Sequence, residues 1–383
     1  MRKIVLLLII VLVFSSCSSN IDDNIQSISE KENSKSTVNE MYTEIDELEG
    51  KDYGLFKMPE TIIPIKINSL YRFSINKTFN IENEEAGKSI FRAFWKDEFD
   101  ESKCGFSISK EDPAYYYDQD GEEYGYFNNG LISLEKSDSI IIKDWEEYEG
   151  LEKYNVETDK DKTVQLLSGT ASINDLVESV NQFIADSGID TLYGDFSIKP
   201  KDVYIYKTNK GANALVICSA CFNDIPIETY PSHFFKEGYE NGFQTITFYL
   251  FKYLALQMSG KNNIDSVSIP ASYRIYKTEE IKSAISLSDA VNLLTKELAS
   301  NSKYEFEKIE LTYCSKSTKP SDEIAQETED TEKIKEIEDI IMNMHEEFIP
   351  TWCFYIKERI PSQIQRIIKV NAVTGEITMD FPE

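Results

Sequence analysis

The sequence predicts an α+β fold: antiparallel sheets with packed helices, arranged as repeated helix-plus-sheet units behind a β-rich N-terminal domain. Three observations predict it. Runs such as TIIPIKINSLYRFSI and KIELTYC alternate in the manner of half-buried strands. Turn signals, Asn-Asn-Gly at 128–130 and Asn-Lys-Gly at 209–211, join neighbouring runs, because Asn and Gly accept the positive φ of hairpin turns. Two further stretches place apolar residues at helical spacing directly behind a capping serine. Aromatic residues make up 12% of the 383, enough for a substantial core.

The chain opens MRKIVLLLIIVLVFSSC. Arg2 and Lys3 precede an apolar run, Ile4 to Phe14, that is too short to span a bilayer, which takes about 20 residues. The pattern fits a secretory signal peptide over 1–16. Its end, Phe14-Ser15-Ser16-Cys17, resembles a bacterial lipobox. That resemblance implies a lipid on Cys17, attachment to the cell membrane through it, and an extracytoplasmic location. Residues 17–58 are rich in Ser, Asn, Asp, Glu and Lys, a composition that buries too little apolar surface to order itself, so the segment is expected to be a disordered tether. A flexible chain of about 40 residues spans roughly 35 Å.

Residues 59–165 read as a β-rich α+β domain. Within it, ENEEAGKSIFRAFWKDEF sets Ile90, Phe91, Phe94 and Trp95 on one helical face, GYFNNGLISLEK is a hairpin, and SIIIKDWEEY is a strand. Residues 166–280 form a helix-plus-sheet unit. Ser172 caps the helix, Asp175 stands three residues on, and Leu176, Val177, Val180, Phe183 and Ile184 make its apolar face. The strands DVYIYKT and ALVICSACF follow. Residues 281–383 repeat the order: Ser286 caps, Asp289 stands three on, and Leu287, Val291, Leu294 and Leu298 face the core. The strands KIELTYC and TWCFYIKE come next, and Trp352, Phe354 and Ile356 point together into the core. A charged, mostly acidic helical insertion, 316–346, separates these strands and is expected to be solvated.

The last hairpin is IIKV-NAVTG-EITM. Ile368 and Val370 share a face with Ile377 and Met379, and Gly375 supplies the positive φ that closes the loop. The combination SLSDAV, IELTYC, PTWCFYI and KVNAVTGEI, over about 284–379, resembles PepSY-type modules and in particular the YycI-like domains of bacterial envelope regulators. The resemblance implies an extracytoplasmic α+β module that binds or restrains a protein or peptide partner, and it carries no catalytic residues.

Net charge is −27, and −29 once Arg2 and Lys3 leave with the signal peptide. Nucleic-acid phosphates need Lys and Arg, so a nucleic-acid partner is excluded from expectation. Catalytic patterns fail one by one. The only histidines are His233 and His345, and neither sits in a zinc helix. Walker, Gly-x-Gly-x-x-Gly and Gly-x-Ser-x-Gly motifs are absent from the sequence, the Ser-x-x-Lys matches at Ser107, Ser133 and Ser300 lack their companions, and no cofactor is expected. Asp118, Asp120 and Glu122 around Gly121 form a weak calcium candidate without the ligand spacing of an EF-hand, and the adjacent Tyr115, Tyr116 and Tyr117 are candidate partner contacts. Cys218 and Cys221, three apart on a strand, face opposite sides roughly 10 Å apart and are assigned to packing. Cys314 and Cys353 each lie opposite their strand's apolar face, and in-register pairing would allow a cross-strand disulfide.

The reading is therefore a non-enzymatic, lipid-anchored extracytoplasmic protein that restrains or senses a partner. An envelope hydrolase using paired carboxylates and a solute- or carbohydrate-binding lipoprotein are the alternatives. The first would show carboxylates of shifted pKa in a pocket, the second an enclosed cleft lined with Tyr and Trp.

Overall fold

The computed structural model describes residues 40–77, 84–108, 113–119, 122–128, 131–136, 150–190, 195–208, 211–228, 234–240, 243–249, 255–269, 273–299, 303–316, 346–357 and 366–380. It is an α+β protein dominated by strands. The helices are α1 (Ile45–Leu48), α2 (Glu84–Trp95), α3 (Ile173–Ser187) and α4 (Leu287–Glu297). Strands β1 (Phe56–Lys57), β2 (Leu70–Lys77), β3 (Cys104–Ile108), β4 (Pro113–Gln119), β5 (Glu122–Asn128), β6 (Leu131–Glu135) and β7 (Gly150–Asn155) come first. Then follow β8 (Thr163–Leu166), β9 (Gly169–Ser172), β10 (Ser197–Thr208), β11 (Gly211–Phe222), β12 (Ile225–Glu228), β13 (Phe234–Glu240) and β14 (Phe243–Tyr249). The remainder are β15 (Ala255–Gly260), β16 (Asn263–Ile269), β17 (Tyr273–Ile281), β18 (Tyr304–Lys316), β19 (Glu346–Ile356), β20 (Ile367–Asn371) and β21 (Ile377–Asp380).

The first sheet is antiparallel throughout and runs β3–β4–β5–β6–β16–β15–β11–β10–β7. The second is built on the long β18–β19 pair. One edge of β19 is shared end to end by β2 and β20, with β17 outside β2 and β21 outside β20. The far edge of β18 carries two short parallel strands, β1 and β12. Strand β12 turns directly out of β11 through Asn223 and Asp224, both at positive φ, and so ties the sheets into one 17-stranded system. The pairs β8–β9 and β13–β14 stand apart as two-stranded hairpins.

Local expectations are met where local chemistry decides. Ser172 Oγ accepts from Asp175 N at 3.0 Å and Asp175 Oδ2 accepts from Ser172 N at 3.0 Å, a complete capping box. Ser286 Oγ accepts from Asp289 N at 3.1 Å. Ile90, Phe91, Phe94 and Trp95 of α2 and Leu287, Val291 and Leu294 of α4 are buried. In the last hairpin Asn371 Oδ1 accepts from Val373 N at 2.9 Å and Thr374 N at 3.1 Å, and Gly375 takes φ 78°. The loop is also a clasp: Ala372 N donates to Pro350 O, and Ile285 N donates to Ala372 O at 2.7 Å.

Three boundaries are corrected. Residues 40–58 are part of the fold, not tether. Met41 and Phe56 are buried, Leu287 N donates to Met41 O at 2.9 Å, and β1 adds to β18 through Phe56 and Tyr304. A polar average concealed Met41, Leu48, Phe56 and Met58, each of which reaches the core. The strands of 59–165 do not form a sheet of their own, since β2 joins the second sheet and β3–β7 the first; the boundary at 165/166 falls inside the β8–β9 hairpin. The two helix-plus-sheet units share the order helix, strand, strand, and the likeness stops there: β10–β11 lies inside the antiparallel sheet, whereas β18 carries two parallel neighbours. The insertion lies outside the described residues over 317–345, and its ends meet where Lys316 pairs with Glu347.

The core is continuous across the junction. Phe73 of β2 packs against Phe222 of β11 at 4.9 Å, Tyr313 of β18 at 4.8 Å and Phe348 of β19 at 5.3 Å between ring centroids. Offset and edge-on rings at these separations add to the area they bury.

Candidate functional site

The densest chemistry is a polar seam on the face of β18–β19 opposite Trp352, Phe354 and Ile356. Alternation puts Lys308, Glu310, Thr312 and Cys314 on one face of β18, and Cys353 and Tyr355 on the same face of β19. An irregularity between Pro200 and Asp202 of β10 frees Lys201 from the ladder. Lys201 Nζ then reaches Glu310 Oε2 at 3.2 Å, and Lys308 Nζ reaches the same oxygen at 3.2 Å. Both lysines also stand over the Tyr355 ring, at 6.0 and 5.7 Å. Burial works against the Glu310 charge, but the two ammonium groups outweigh it and its pKa falls below the ordinary carboxylate value. The carboxylate is thus held ionised and shared between two cations. That arrangement clamps β10 of one sheet to β18 of the other; it does not present a proton donor or a nucleophile.

Two thiols of β11, Cys218 and Cys221, are equally quiet as nucleophiles. Cys218 and Cys221 are buried, as packing residues should be. Burial pushes the Cys221 thiol up to about 12, against the pull of Lys199 and Lys201, and raises Cys218 too. Cys314 and Cys353 are four rungs apart in the ladder, since Cys314 faces Ile349 and Cys353 faces Glu310. Their sulfurs nevertheless lie 3.5 Å apart. Among the described residues no disulfide is formed.

The remaining candidates are placed as follows. Cys17 and Asp120 lie outside the described residues, as do His233 and His345. Asp118 of β4 pairs with Glu123 of β5, and Gln119, the last residue of β4, pairs with Glu122, the first of β5. No group of three or more metal-ligating side chains is brought together among the described residues. Tyr115, Tyr116 and Tyr117 occupy β4 between β3 and β5. Trp352 is core: it is fully buried and its Nε1 donates to Ile285 O at 2.8 Å.

A cleft of about 290 Å³ beside α2 is lined by Ser89, Arg92, Ala93, Lys96 and Asp186. That lining holds none of the Tyr or Trp on which a sugar would stack. No helix among the described residues is long and apolar enough to cross a membrane. The buried Glu310 clamp escaped sequence reasoning, because a glutamate on the polar side of an alternating strand reads as solvated until its partner sheet is known.

No protein-family model matches the chain, and no curated protein matches it. Among solved structures it is similar to an uncharacterized protein from Eubacterium rectale, solved at 1.45 Å. The two share 14% identity and a TM-score of 0.50 over 85% of this chain and 91% of that one. At that identity the likeness concerns the fold alone. The class defined is an α+β protein on antiparallel sheets.

Proposed function

We propose that the chain is a lipid-anchored extracytoplasmic binding or regulatory protein that restrains or senses a protein or peptide partner. The observation that carries the reading is the leader ending Phe14-Ser15-Ser16-Cys17. The likeness of residues 284–379 to PepSY-type and YycI-like modules adds to it. At the seam itself, the carboxylate of Glu310 is paired with two ammonium groups, a structural clamp in place of a free acid pair. Residues 40–58 belong to the fold, and the rest of the expected tether, 17–39, lies outside the described residues.

The test uses the affinity-tagged full chain and its C17A variant in a bacterial host with a lipoprotein pathway. The expected result is membrane fractionation of the parent, release of the variant, and one saturable, salt-resistant partner captured from solubilised membranes. Unchanged fractionation of the variant overturns the anchor; an anchored protein that captures nothing overturns the partner.

A further inference from the structure

We propose that Cys314 and Cys353 join in a disulfide as the chain folds, welding the β18–β19 ribbon at the root of the acidic insertion. The geometry points to it against the ladder. Four rungs of a flat strand cover roughly 13 Å. A cysteine sulfur stands only about 3 Å from its own α-carbon, so two sulfurs on a flat ribbon could not meet. They do meet, at 3.5 Å. The ribbon is therefore bent sharply, concave on this face, and the bend carries both thiols to one point. A bond requires closure to about 2.05 Å. Tyr355 and Ile367 pack with both sulfurs in one small apolar cluster, which screens the joined pair from reductant.

The chemistry is thiol–disulfide exchange with a disulfide oxidant. Either cysteine can attack first. With Cys314 leading, its thiolate displaces one sulfur of the oxidant and leaves a mixed disulfide. The Cys353 thiolate then attacks the Cys314 sulfur and expels the second. The two cysteines lose two electrons and two protons, and the oxidant becomes a pair of thiols. Both sulfurs are buried in the folded protein, so the exchange takes place while the ribbon is still closing. The bond spans 39 positions and ties off the whole insertion. The inference rests on the exported reading only for the natural source of oxidant; a glutathione redox buffer supplies it in the tube.

The experiment refolds the mature chain, Cys17 onward, in oxidised and reduced glutathione, quenches exchange with acid, blocks remaining thiols with N-ethylmaleimide in denaturant, and maps digested peptides by mass spectrometry. The expected result is one linked peptide pair, Cys314 with Cys353, lost on reduction, with Cys17, Cys104, Cys218 and Cys221 carrying the label. The Tm should fall by about 5–10 °C on reduction, and the C314A/C353A protein, which cannot form the bond, should show no such fall whatever its own Tm. Labelled Cys314 and Cys353 in the refolded protein overturn the proposal, and so does a bond from either to Cys221. Failure here leaves membrane fractionation of the full chain unaffected, so the two readings fail separately.

Discussion

Glu310 is the residue on which the junction of the two sheets turns. Its carboxylate takes two ammonium groups at 3.2 Å, and removing its charge leaves Lys201 and Lys308 facing each other with little water. E310Q is expected to lower unfolding stability in urea by about 3–5 kcal/mol, the range for breaking one side of a buried ion pair. Adding K201M should recover part of the loss, since a buried pair replaced by apolar groups is often neutral. A loss under about 1 kcal/mol would mean the seam is wetter than its burial implies. Asp175 makes a gentler case. Lys261 and the Ser172 amide and hydroxyl lower its pKa to about 2 from the usual 3.8. The folded value lies below the unfolded one, so the contribution is present above about pH 4 and is lost as pH falls through about 2. The pair is partly exposed, at 29% for Asp175 and 51% for Lys261, which holds the effect under about 1 kcal/mol. Acid titration of D175N beside the parent should show curves that converge towards pH 2.

At the scale of elements, the helices and hairpins were legible and the N-terminal strap, residues 40–58, was not. Ser172, Ser286 and the Asn-Ala-Val-Thr-Gly loop act over three to five residues, and their partners lie within the same window. Residues 40–58 contribute four core side chains from a polar stretch, and nothing local shows that Phe56 will meet Tyr304. The parallel β12–β18 contact was hidden for the same reason: its two halves are some eighty residues apart and carry no mark of each other. The seam shared that fate, since Lys201 and Glu310 are each ordinary surface residues in sequence. The strap gives a direct prediction. Replacing Met41 and Phe56 by alanine together should destabilise the protein by about 4–8 kcal/mol, or leave it unfolded, because each is a large side chain removed from the core. A soluble version starting at residue 59 should aggregate where one starting at 18 does not. Equal stability of the two would show that the strap only rests on the surface.

For the whole molecule, the question is whether two sheets make two folding units. The chain crosses between them repeatedly: β2 to β3, β11 to β12, β16 to β17. A shared aromatic core at Phe73, Phe222, Tyr313 and Phe348 then has to break in either sheet's unfolding. One cooperative transition is expected. Trp95 on α2 and Trp352 on β19 of the second sheet report on different elements, so W95F and W352F, each in a W145F background, should show fluorescence and far-ultraviolet circular dichroism midpoints in urea that coincide within each protein. Fluorescence midpoints that part from the dichroism midpoint of the same protein would instead mark two domains. The fold class could be read from strand periods and turn residues; the joining of the sheets could not, because it depends on pairings between distant segments.

The strap also sets how the protein meets a pull. A load arriving along the chain from its N-terminal side meets the described residues at 40 and 41, where Met41 O holds the first amide of α4 and Tyr42 lies edge-on to Trp352 at 5.1 Å. Beyond them β1 runs alongside β18 in the same direction. Traction from that side therefore shears the strap across the last third of the chain instead of peeling a free end. A tug of that kind would be felt first by the Ile285–Ala372 clasp and the closing hairpin, far along the chain from where it entered.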